Sequence, residues 1–128
     1  MSMKMKRKLW CAALLTTAAS LTWADAAPPF LGKWNVEWQF EQGTYAAEME
    51  VTPTGGSWQT AFTNRKNPCA GRKVPLQHDV ATADRLELTL KFSEVIPGCR
   101  NATVKLWLND KGEVAGKRSS YDLTLKRE

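Results

Sequence analysis

From Gly32 the chain reads GKWNVEWQF, with Trp34, Val36, Trp38 and Phe40 on one parity and Lys33, Asn35, Glu37 and Gln39 on the other. No other feature limits the fold as tightly, because a period of two suits a strand with one buried face and does not suit a helix surface. The alternation returns in RLELTLKF, where Leu86, Leu88, Leu90 and Phe92 oppose Arg85, Glu87, Thr89 and Lys91. Shorter rows repeat it: Tyr45, Ala47, Met49 and Val51; Trp58, Thr60 and Phe62; Leu76, His78 and Val80; Val104, Leu106 and Leu108; Val114 and Gly116; Tyr121, Leu123 and Leu125. That makes eight candidate strands, punctuated by turn sequences such as PTGG, ATAD and NDKG, with no stretch of helical period.

The first segment reads differently. Lys4, Lys6, Arg7 and Lys8 precede an apolar stretch from Leu9 to Trp23, followed by Ala24-Asp25-Ala26, the small-x-small pattern of a signal peptidase site. The expectation is an export signal over residues 1–26, cleaved to leave one domain over 27–128 and a periplasmic or secreted protein. The apolar run is shorter than the roughly 20 residues a membrane helix needs, so no membrane span is expected. Cys11 lies inside this leader, away from the cleavage point, so a lipid anchor is not expected either.

Charge changes meaning once the leader is set aside. Of 18 basic and 13 acidic residues, the leader holds Lys4, Lys6, Arg7, Lys8 and Asp25, which leaves 14 against 12, a net of +2. A chain so near neutrality is not expected to bind nucleic acid.

Strands with one apolar and one polar face, joined by short turns, predict an all-β, up-and-down antiparallel barrel of about eight strands; a two-sheet sandwich is the alternative. Cys69 and Cys99 test the arrangement. They fall in the third and fifth connections, which a meander brings to the same end, so a disulfide between them is expected, with the Cα atoms roughly 5–6 Å apart.

Gly32-Lys33-Trp34, at the head of the first strand of an eight-strand meander, resembles the Gly-x-Trp that opens lipocalins and avidin-type, calycin-like barrels. The resemblance implies the same architecture. No positions match the polar residues that hold biotin in avidins, so it carries no ligand over.

Chemistry has few candidates. His78 is the single histidine and falls on an inward row, where a core histidine satisfied by a hydrogen bond is expected, and a metal site would want more ligands. Glu48 and Glu50 share an outward face, as solvated carboxylates do. The chain is therefore expected to be no enzyme, with no metal and no cofactor. The loop end stands apart: Arg65, Lys66, Arg72, Lys73 and Arg100 gather there against Glu94 alone. Beneath them lie Phe40, Tyr45, Phe62, Phe92 and Tyr121, an aromatic layer that offers a grip on an apolar or ring-bearing ligand with an acidic head or else forms a packed cap, the latter favoured because an eight-stranded barrel is barely wider than its own side chains.

Two functional expectations follow. The first is a non-catalytic binding protein whose disulfide-tied basic loops hold an anionic protein or envelope component, such as an envelope-directed hydrolase that it inhibits. The alternative is a lipocalin- or avidin-like carrier of a small hydrophobic or aromatic ligand. Trp107 falls on an outward parity with Thr103 and Lys105, for which a register-shifting bulge is expected, or else an anchor for a partner.

Overall fold

The computed structural model describes residues 24–61 and 67–128. The leader up to Trp23, and with it most of the expected signal, lies outside the described residues, as do Phe62, Arg65 and Lys66. Eight strands run in order: β1 (Gly32–Phe40), β2 (Gly43–Val51), β3 (Gly56–Thr60), β4 (Lys73–Ala81), β5 (Arg85–Leu90), β6 (Ala102–Leu108), β7 (Val114–Arg118) and β8 (Tyr121–Arg127). Each pairs antiparallel with the next, and β8 returns to β1 from Trp34 opposite Arg127 to Glu37 opposite Thr124, which closes the barrel. The meander is thus an up-and-down barrel and not a sandwich. No helix among the described residues is long and apolar enough to cross a membrane.

Alternation decides the interior. On β1, Trp34, Val36 and Trp38 are buried while Lys33, Asn35, Glu37 and Gln39 are exposed. Leu86, Leu88, Leu90, Val104 and Leu106 complete a core layer from β5 and β6 with no exposed area. Burying a side chain of this size stabilises the fold by about 1.5–3 kcal/mol, so these rows hold the closed form together.

One end is sealed. Ahead of β1, Pro28–Phe30 makes a single 3-10 turn that drops Phe30 wholly into the core. Trp34 Nε1–H donates to the Phe30 carbonyl at 3.1 Å. From the end of β8, the Arg127 guanidinium lies 4.2 Å from the Trp34 ring centroid and donates to the carbonyls of Leu31 at 2.6 Å and Pro29 at 2.7 Å. Ala26 is buried at the same end, its N–H donating to the Pro53 carbonyl at 2.9 Å.

The other end carries the two long connections, and there Cys69 and Cys99 are joined with their Cα atoms 5.8 Å apart. The predicted disulfide and its separation both hold, and its oxidised state points to an oxidising compartment.

Trp107 departs from expectation in one respect. The β5–β6 and β6–β7 registers pass through it without interruption, opposite Arg85 and Ala115, so no bulge turns it inward. It stays on the outer face, half-buried. The register shift of the sheet falls in β4 between His78 and Val80. There His78 is half-buried and its Nε2–H donates to the Gly55 carbonyl at 2.9 Å.

Candidate functional site: a cavity at the disulfide end

The aromatic layer is not packed shut. A cavity of about 500 Å³ opens at the disulfide end, walled by Trp38, Phe40, Tyr45, Phe92 and Tyr121, with Thr60, Asn67, Cys69, Arg100 and Arg118 between the rings. The walls follow from strand order and register. β8, β1 and β2 are neighbours, so Tyr121, Phe40 and Tyr45 form a continuous arc: Phe40 meets Tyr121 edge-on at 5.3 Å and Tyr45 edge-on at 5.9 Å. Trp38 sits directly opposite Tyr45 in the β1–β2 register and stacks on it at 5.9 Å. Rings that satisfy one another along the wall do not need to meet across the middle, which is why the space stays open. Phe40, Tyr45 and Tyr121 are accordingly half-buried, whereas Trp38 below them is buried.

Deeper, Trp58 is fully buried, tilted against Trp38 at 5.7 Å, and donates its Nε1–H to Thr60 Oγ1 at 2.9 Å. Thr60 is the single buried polar side chain in the described core, and this bond explains its tolerance there. The two β1 tryptophans therefore differ in role: Trp34 belongs to the sealed floor, and Trp38 is a wall of the cavity.

Arg118 is the residue that sequence reasoning missed. Its guanidinium carbon lies 5.2 Å from the Trp38 ring centroid, 5.9 Å from that of Phe92 and 6.0 Å from that of Trp58. Its Nε is buried and has no hydrogen-bond partner among the described residues. None of the described cavity-lining residues is acidic, and Arg118 takes part in none of the ion pairs among the described residues, which are Arg85–Glu87, Lys91–Glu94 and Lys117–Asp122. Burial holds its pKa below the ordinary arginine value, with Tyr121 acting weakly the other way. A signal for Arg118 was present in the sequence: Val114 and Gly116 share the inward parity, and two residues further on that parity falls on Arg118.

Of the five basic loop residues, Arg65 and Lys66 lie outside the described residues, and the other three take separate positions. Arg100 reaches the cavity rim. Arg72 donates its Nη1–H to the Val95 carbonyl at 3.1 Å and so braces one loop against the other. Lys73 is exposed on β4 and lines an outer-surface cleft with Lys33, Glu48 and Glu50. Of the aromatic set, Phe40, Tyr45, Phe92 and Tyr121 are brought together as expected. His78 stands apart from the cavity, and no three His, Cys, Asp or Glu side chains among the described residues converge as metal ligands would.

Fold and site together define a small closed β-barrel with an aromatic-walled interior cavity and a disulfide at its mouth. No family model, no curated protein and no solved structure matches the chain.

Proposed function

We propose that this is a non-catalytic carrier of a small organic molecule with an apolar or aromatic body, exported to the periplasm or beyond and built on the lipocalin or avidin plan. The cavity carries the reading: about 500 Å³ is within the range of small-molecule sites, and five aromatic rings line it together with Thr60, Asn67, Cys69 and two arginines. Aromatic faces supply contact area at low entropic cost and tolerate varied apolar ligands. Of the described loop residues, Arg72 is engaged by a backbone carbonyl and Lys73 faces away beside two glutamates, which favours the cavity over the basic loops as the working surface. The leader, with its basic start and Ala24-Asp25-Ala26, supports export, as does the disulfide.

The test is a titration with N-phenyl-1-naphthylamine, a neutral fluorescent aromatic, read by energy transfer from Trp38 and Trp58. Saturable binding is expected, weakened about tenfold by Tyr121→Ala through loss of ring contact. Absence of saturable binding to the folded protein would remove the carrier reading.

A further inference from the structure

An arginine facing the interior of an aromatic cavity with no carboxylate beside it is costly unless something else neutralises it. Desolvated charges in proteins are paired or hydrogen-bonded in nearly all cases. The ring centroids of Trp38, Phe92 and Trp58 all lie within 6.0 Å of the Arg118 guanidinium carbon, near enough for cation–π attraction. They cannot accept its in-plane N–H donors, and among the described residues the buried Nε–H has no partner. The planar fork of a guanidinium matches a carboxylate, which can take two parallel N–H donors at once.

Resting on the carrier reading above, the geometry points to a second specificity: the cavity selects a monoanionic organic acid, whose carboxylate goes in first to pair with Arg118 while its apolar or aromatic body lies between Phe40, Tyr45 and Tyr121. Depth sets the orientation. Arg118 reaches down to the fully buried Trp58, below the half-buried rings of the rim. Charge sets the class. One half-buried cation neutralises one negative charge, whereas a phosphate monoester would bring a second into a partly desolvated site. Arg100 is exposed at the rim, where water screens it, and it acts on approach and not on the bound head group.

The experiment uses probes that share one body: 1-naphthylacetate, 1-naphthylacetamide and 1-naphthyl phosphate, titrated at about pH 7, where the first is a monoanion and the last largely a dianion. Dissociation constants come from tryptophan quenching and are checked by calorimetry. Wild-type protein is expected to bind the acetate at least about tenfold more tightly than the isosteric amide, the usual gain from a charge-assisted bond in a dry site. It is expected to bind the phosphate more weakly than the acetate. Arg118→Met abolishes the acetate preference while holding amide binding within about threefold, and Arg118→Lys keeps a partial preference, since it retains charge without the fork.

Three results overturn the inference: equal binding of acetate and amide by wild-type protein, an acetate preference that survives in Arg118→Met, or phosphate tighter than acetate. Far-UV circular dichroism of each variant confirms that the barrel is intact. If the naphthyl probes and N-phenyl-1-naphthylamine all fail to bind, the carrier reading falls and this one with it. If the neutral amine alone binds, the carrier reading stands and the organic-acid assignment fails.

Discussion

Arg118 holds a charge on the inward parity of β7, where Gly116, the preceding inward residue, is buried. Its lowered pKa has a definite sign for stability. A base bound less tightly to its proton in the folded state than in the unfolded chain destabilises the fold at any pH below its folded pKa, and relief comes only as pH rises through that value. Arginine stays protonated through the ordinary range, so the penalty is constant around neutrality. Arg118→Met should therefore unfold in urea at an equal or higher concentration, a gain of up to about 2 kcal/mol, because a well-packed apolar side chain relieves the desolvation. A loss of more than about 1 kcal/mol would assign the guanidinium a structural task instead. A residue that weakens its own fold is the kind a binding site retains, and alternation rules misjudge it because they sort by polarity and not by use.

At the level of elements, β1 was legible in full, since it alternates without a break with one face in the core, whereas β5 ends at Leu90 and the expected strand residue Phe92 opens a 3-10 turn, Phe92–Glu94, instead. The pairing of Cys69 with Cys99 followed from their being the two cysteines beyond the leader, with connection parity as an independent check. Two things were not legible. The sealed floor depends on Arg127 meeting the Pro29 and Leu31 carbonyls, 98 and 96 positions away, and no local pattern announces such a contact. The cavity depends on how rings lean, and a count of residue volumes cannot tell rings lying along a wall from rings meeting across it. Strand β7 supplies a test of how closely the barrel is packed elsewhere. A Cβ on Gly116 would lie 2.6 Å from Leu106 Cδ2 and 2.9 Å from the Lys105 carbonyl oxygen, and the backbone atom cannot yield. Gly116→Ala is expected to lower the unfolding free energy by about 1–3 kcal/mol, measured by urea denaturation, whereas a neutral outcome would mean that β7 shifts freely against β6.

For the whole molecule, closure of β8 onto β1 removes the sheet edges, and the disulfide limits how far the two long connections can separate. The bond spans 30 positions, for which the chain-entropy picture gives about 3–4 kcal/mol of stabilisation. A Cys69→Ser, Cys99→Ser double variant should lose about that much while keeping its β-sheet circular dichroism, because single domains of this size hold roughly 5–15 kcal/mol in reserve. Since Cys69 is part of the cavity wall, the same variant should bind N-phenyl-1-naphthylamine less tightly. Unaltered affinity would separate the bond from the site.

The floor built by Phe30, Trp34 and Arg127 has a kinetic consequence. On the carrier reading proposed above, a barrel closed at its floor takes up its guest at the disulfide end, and by microscopic reversibility the guest departs along the path by which it arrived. Anything that narrows the passage beside Cys69 and Arg100 slows arrival and departure by the same factor, so residence time can be tuned without altering the equilibrium occupancy. On that proposal, loading and unloading become questions about the rim, while selectivity is assigned to the rings and the arginine below.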